Sequence, residues 1–314
     1  MNKNRFLAMV LGLALCVFGI GSASAQKAPA ATGVPVHLVV TVEARKGAEV
    51  PVINRDDVMV YEGHDRDTVT DWVPAQGEHA AVELFLLLDD ASSVNLGSQL
   101  GDLRQFINAQ PDSTKIGVAY MQNGIARIEQ NLTSDHALAA KALRLPMGMG
   151  GANASPYFSL SDLLKRWPAT TARRSVMMVT DGIDRYYGSW DLLDPYLDEA
   201  IDDAVRAGVT VSAIYNPDVG HYGHSYWRSY WGQMYLAHLA DATGGEAYYI
   251  GFNGPAVAFA PYLEDWTKRL THQYLLTFLA KTPKKAGWQT VRLTTEVPNV
   301  DLVSAGRVYV SPTP

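Results

Sequence analysis

The chain has 314 residues, 47% hydrophobic and 18% charged, with 26 Lys and Arg against 32 Asp and Glu. That composition supplies a substantial core, with room for one large domain and an accessory one, and its acidic balance argues against nucleic acid as a partner. The single cysteine, Cys16, leaves no disulfide to be made within the chain.

Met1 to Arg5 carries two positive charges, residues 6–21 are an almost unbroken apolar run, and small residues Ala23 and Ala25 precede Gln26. This is the pattern of a signal peptide spanning 1–25 and cleaved before Gln26; a retained anchor is disfavoured because the run is short and ends in an A-x-A site. A lipid-attachment reading at Cys16 is disfavoured by bulky Leu15 before it and by the apolar run continuing after it. The expectation is an exported protein, periplasmic or secreted. Cleavage removes Lys3 and Arg5 from the 26 basic residues, leaving 24 against 32 acids and a formal net charge of −8. No later segment is apolar over the length a membrane span needs.

Residues 26–34 read as a flexible lead rich in Ala, Pro and Gly. Residues 35–43 and 57–62 are β-branched and partly alternating, which predicts antiparallel strands in a β-rich extension over 35–78. From residue 79 the rhythm becomes strand then helix, continuing to residue 271. Strands are predicted at 82–88, 115–121, 175–180, 210–215 and 246–250, and an antiparallel edge strand at 126–132. Helices are predicted at 98–108, 135–143, 159–167, 195–207, 230–242 and 255–271. The continuous apolar run at 82–88 suits a central strand buried on both sides. In the C-terminal β-rich segment, 272–314, strands are predicted at 272–280, 289–297 and 301–310. They are expected to meet the 35–78 extension as one small antiparallel subdomain. The fold class expected is therefore α/β, a doubly wound, mostly parallel, Rossmann-type sheet with a small β-rich flanking subdomain.

In open parallel sheets, ligands bind beyond the carboxyl ends of the strands. Two such ends carry acids: Leu88-Asp89-Asp90-Ala91-Ser92-Ser93-Val94 and Val179-Thr180-Asp181-Gly182-Ile183-Asp184. Carboxylates and hydroxyls at this spacing suit a hard divalent cation. An apolar strand ending in Asp-x-Ser-x-Ser, and a later one ending in Thr-Asp-Gly, resemble the metal-ion-dependent adhesion site of von Willebrand factor type A domains. Here Ala91 replaces the first serine of that pattern. Residues 55–63 and 274–278 are similar to segments of von Willebrand factor A-related proteins of acidobacterial type, so the resemblance covers most of the mature chain.

The resemblance implies a von Willebrand factor A-like domain over 79–271 and an adhesion-type, protein-binding role. It also implies a Mg²⁺ site, with Mn²⁺ or Ca²⁺ as alternatives, held by Asp89, Ser93 and Asp181, with Asn153, Ser155, Asp90 and Asp184 as supporting oxygens. Besides Ala91, Ala152 stands where the third loop of that family offers threonine, and neither methyl binds a metal. Two readings stay open on the residues alone, a metal-dependent binding site and a degenerate site in a structural or assembly protein.

No enzyme signature accompanies these acids. Gly148 to Gly151 lacks the lysine and spacing of a phosphate loop, and no G-x-S-x-G nucleophile motif occurs. A hydrolase using the acids with His221 or His224 is the third reading, from a different class, and lacks a recognisable nucleophile. The stretch 215–235, dense in His, Tyr and Trp, is expected to form a flap or contact loop after a strand.

Overall fold

A computed structural model describes residues 33–45, 49–148, 150–188, 193–217, 225–249 and 258–312. The expected signal peptide, most of the flexible lead, His221, His224 and the start of the helix predicted from residue 255 lie outside the described residues. In chain order the elements are β1 (Val34–Ala44), β2 (Val58–Glu62), β3 (Asp65–Pro74), β4 (Val82–Asp89), α1 (Leu100–Asn108), β5 (Thr114–Gln122), β6 (Ile125–Thr133), α2 (His136–Lys141), α3 (Pro156–Arg166) and β7 (Arg173–Thr180). They continue with α4 (Pro195–Ala207), β8 (Val209–Tyr215), α5 (Tyr226–Thr243), β9 (Ala247–Tyr249), α6 (Ala260–Thr271), β10 (Gln273–Ala280), β11 (Gly287–Thr295), β12 (Val300–Val303) and β13 (Arg307–Val310).

Six strands make a sheet in the order β6-β5-β4-β7-β8-β9, parallel throughout except for the antiparallel edge strand β6. Its central strand β4 explains the unbroken apolar run. Leu84, Leu86 and Leu88 pack on one face against Leu103 and Phe106 of α1 and Trp266 of α6. Phe85 and Leu87 pack on the other, with Leu160 of α3, Ile201 of α4 and Leu236 of α5. Successive side chains of a strand alternate between faces, so a strand with helices on both sides must be apolar at every position. Each buried leucine contributes about 2 kcal/mol.

The helices stop and start where local chemistry dictates. In α4, the Asp194 carboxylate accepts from the amides of Tyr196 and Leu197, Pro195 occupies the first turn, and Gly208 ends the helix at φ +64°. The buried stripe Leu197, Ala200, Ile201 and Ala204 follows the helical period. Helix α5 is longer than the sequence pattern predicts. It begins at Tyr226 under a Ser225 cap, so the aromatic stretch predicted as a loop is a helix from Tyr226 onward. Aromatic residues at every helical phase obscure a one-sided period there.

The second sheet is antiparallel and seven-stranded, in the order β12-β1-β10-β3-β2-β11-β13. Strands from both ends of the chain interleave in it: β1 pairs with β10 from Val34↔Ala280 to Thr41↔Gln273, and β2 pairs with β11. Its core gathers Val40, Val60, Trp72, Leu276 and Phe278, with Trp72 stacked on Tyr274 at 4.4 Å. Strand β3 is absent from the sequence prediction because its Asp, Arg and Thr residues hide its pattern; it is reached by a short hairpin from β2 through Gly63 at φ +62°. The stretch predicted as one strand at 301–310 is two, β12 and β13.

Arg173, the first residue of β7, ties the two sheets together. Its buried guanidinium donates to the carbonyls of Ala80 (2.9 Å), Leu270 (2.8 Å) and Ala75 (3.3 Å), and to Oε1 of Gln273 in β10 (2.5 Å). No helix among the described residues is long and apolar enough to cross a membrane.

Candidate functional site

Strands β4 and β7 are neighbours, in register at Leu88↔Val179, and β4 also pairs with β5 on its other side. The connection after β4 leads to β5 on one side of the sheet, and the chain after β7 proceeds to β8 on the other, so the loops diverge and leave a crevice at the strand ends. Asp89 and Asp181 stand there, both buried.

The Asp181 loop is fixed from below. Gly182 adopts φ +68°, and a Cβ at that position would lie 2.4 Å from the carbonyl oxygen of Gly232 in α5. A Cβ at Gly232 would in turn meet the Asp181 carbonyl oxygen at 2.1 Å. The two glycines let helix and loop backbones touch, which the Thr-Asp-Gly motif requires at its third position. The Tyr157 hydroxyl donates to the Gly182 carbonyl at 2.6 Å from the α3 side.

With the loops so placed, the acids are engaged by the chain's own donors. Asp89 Oδ2 accepts from Thr180 Oγ1 at 2.7 Å, and its Oδ1 from the Ala91 amide at 3.0 Å. Asp181 Oδ1 accepts from the Ile183 amide at 3.0 Å, and its Oδ2 takes the Nη2 of Arg185 at 2.6 Å. Burial, and then the Asp181 charge, push the Asp89 carboxyl up to about 6, while Arg185 pulls it the other way. For Arg185, burial works against the charge, but Asp181 and Asp89 outweigh it and raise its pKa above the ordinary value.

The remaining predicted oxygens are dispersed. Ser93 caps the 3₁₀ turn Val94–Gln99, its Oγ accepting from the Asn95 amide at 3.0 Å. Asp90 is fully buried but turned to a different loop. It pairs with Arg144 Nη1 at 2.7 Å and accepts from Gln122 Nε2 at 3.3 Å and from the Met147 amide at 3.0 Å. Asp184 accepts from the amides of Tyr186 and Tyr187 and from Ser155 Oγ, each at 2.8 Å, and Ser155 also caps α3. Asn153 is exposed, and its amide donates to Asn123 Oδ1 at 2.9 Å.

The fit to a divalent ion follows from these contacts. A void of about 10 Å³ touches Asp89, Ser155, Gly150 and Arg185. That is room for one water at most, whereas Mg²⁺ demands six oxygens and keeps several waters. With Ala91 contributing a methyl, Ala152 exposed and Arg185 on Asp181, the residues do not fit such an ion in this arrangement. Of two wider clefts, one of about 830 Å³ runs along β6 and reaches Gly150 and Ala152, and one of about 870 Å³ lies between β1, β10 and α4; neither is lined by Asp89 or Asp181. Arg185 and Arg144 are the residues that sequence reasoning misses. The only hint of Arg185 is its position four residues beyond Asp181.

The segments that follow the strand ends carry exposed aromatic and apolar side chains. Tyr186 and Tyr187 follow β7, Tyr226 and Trp227 open α5 after β8, and Val94 follows β4; all are exposed, Tyr226 and Trp227 at 66% each. Leu145 and Met147, on the loop that Asp90 holds, are exposed too.

No protein-family model matches the chain, and no curated protein matches it significantly. Among solved structures, similarity extends to a human COPII-coat protein, with 8% identity and a TM-score of 0.43 over 74% of this chain. The chain spans 44% of the length of that coat protein. The VWA domain of SpRpn10 is similar with 14% identity and a TM-score of 0.38 over 60% of this chain and 94% of its own. The adhesive tip pilin GBS104 of Group B Streptococcus agalactiae is similar with 9% identity and a TM-score of 0.25 over 40% of this chain and 55% of its own.

Proposed function

We propose that this chain is an extracytoplasmic protein-interaction module of von Willebrand factor A type, which docks its partner on the strand-end face and binds rather than turns over what it meets. The observation that carries this reading is the set of exposed aromatic and apolar side chains on segments beyond the strand ends, with Tyr186 and Tyr187 after β7, Tyr226 and Trp227 at the start of α5 after β8, and Leu145 and Met147 on the loop held by Asp90. Large amphipathic rings contribute rigid contact area with polar tips, and exposed apolar groupings of this kind are characteristic of binding surfaces. The strand-end motifs and the alternation of strands and helices support the family reading. The charged start, apolar run and A-x-A site before Gln26 support export.

The test is affinity capture of envelope proteins by the purified chain, with Tyr226→Ser/Trp227→Ser as the comparison bait and chelator present or absent. Capture should fall roughly tenfold in the aromatic variant, the loss of one or two hot-spot side chains, and be indifferent to chelator. A variant that folds and captures as well as the parent removes the face from consideration. Intact mass of the exported protein, beginning at Gln26, checks the location.

A further inference from the structure

Arg185 brings a positive charge into a site whose strand-end acids resemble metal ligands. Its side chain is 26% exposed, with Nη2 at 2.6 Å from Asp181 Oδ2 and Nη1 at 3.5 Å from Oδ1. Its backbone amide donates to the Ala154 carbonyl at 3.0 Å, which pins the arginine beside the entry to α3. The side chain borders the same small void as Asp89 and Ser155.

We propose that Arg185 is a tethered cation, whose guanidinium takes the place that a divalent ion would hold beside Asp89 and Asp181 and keeps such an ion out. The charge comes with the chain, so the loops close at any metal concentration. A guanidinium donates hydrogen bonds in a fixed plane and has no coordination position to exchange. A partner's carboxylate therefore has no metal shell to complete, and recognition falls to the surrounding side chains. The alanines at 91 and 152 agree with this, since acids neutralised by a guanidinium need no serine or threonine hydroxyl to complete a metal's shell. Arg185 fills this place whichever partner docks, and with none bound.

The test is calorimetric titration of Mn²⁺ into the full chain and into Arg185→Gln, Arg185→Lys and Arg185→Gln/Asp181→Asn. The parent and Arg185→Lys should take up no Mn²⁺ at millimolar concentration. Arg185→Gln should gain affinity roughly tenfold or more, because two carboxylates lose their competing cation, and adding Asp181→Asn should abolish the gain. Thermal melting should show Mn²⁺ stabilising Arg185→Gln and leaving the parent unchanged. A parent that saturates with Mn²⁺ at submillimolar concentration overturns the proposal, as does a folded Arg185→Gln that binds no better than the parent. If Arg185→Gln fails to fold, Mn²⁺ or the added Asp181→Asn should restore folding, and failure of both rescues overturns the proposal equally.

Discussion

Two arginines, Arg173 buried and Arg185 partly so, serve the opposite ends of β7, and their surroundings differ in kind. Arg173 at the amino end meets only neutral oxygens, three backbone carbonyls and the Gln273 amide, and burial drags its pKa down to about 10. Arg185 beyond the carboxyl end meets the carboxylate of Asp181, and its pKa is raised despite burial. A guanidinium leaves water at a cost of several kcal/mol, which hydrogen bonds alone offset in the first case and charge offsets in the second. The first joins the two sheets. The second determines what the strand-end crevice can bind.

The largest effect is expected at Arg173. Arg173→Met should destabilise the chain by about 3 kcal/mol or more, because three buried carbonyls lose their donor at once. Urea unfolding measures this, and a loss below about 1 kcal/mol would mean that water replaces the guanidinium.

At the other end, the cycle formed by Arg185→Gln and Asp181→Asn should show a coupling of about 2–3 kcal/mol, with the double variant more stable than the arginine variant alone. Additive single effects would show that the ion pair contributes nothing beyond packing.

A smaller and pH-dependent effect is expected at Asp194, which caps α4 and is buried near Asp184. Burial first, and the Asp184 charge second, push its carboxyl to about 6. The folded chain thus holds this proton more tightly than the unfolded chain. The cost of burying this charge is absent well below pH 4, grows as pH rises from about 4 towards 6, and then stays constant. Asparagine keeps the cap without the charge. Asp194→Asn should therefore gain on the parent between pH 4 and 6 by on the order of 2 kcal/mol, as melting curves across that range would show. A difference independent of pH would contradict it.

The smallest effect is expected where family resemblance alone predicts a large one. Ala91→Ser with Ala152→Thr restores both hydroxyls, yet with Arg185 in place it should change Mg²⁺ uptake by nothing measurable in calorimetry. A clear gain would show that Arg185 yields to an ion.

The α/β core was legible because its signals are local. The short apolar run at Val82 to Leu88 suits a strand with cover on both faces, and the Asp194-Pro195 start and Gly208 end bracket a helix by chemistry within a few residues. Strand β3 was not legible, since its polar residues become a strand only between β2 and β10. The start of α5 was missed because a helix aromatic on several sides has no stripe to read.

For the site, sequence alone determined that two apolar strands end in acids, Asp89 and Asp181, at the carboxyl edge of a parallel sheet, and the tertiary structure made those strands neighbours. Which of their neighbours share that place was decided by the tertiary structure. Asp90 follows Asp89 in the chain, yet it faces Arg144, 54 positions away. Ser93 and Ser155 cap helical turns. Arg185 meets Asp181 across a loop in which Gly182 is pressed against Gly232 of α5 and the Arg185 amide is held by the Ala154 carbonyl. Strand ends follow from local hydrophobic pattern, whereas the direction in which a loop residue points depends on contacts made far away in sequence, and here those contacts set a guanidinium beside the acids.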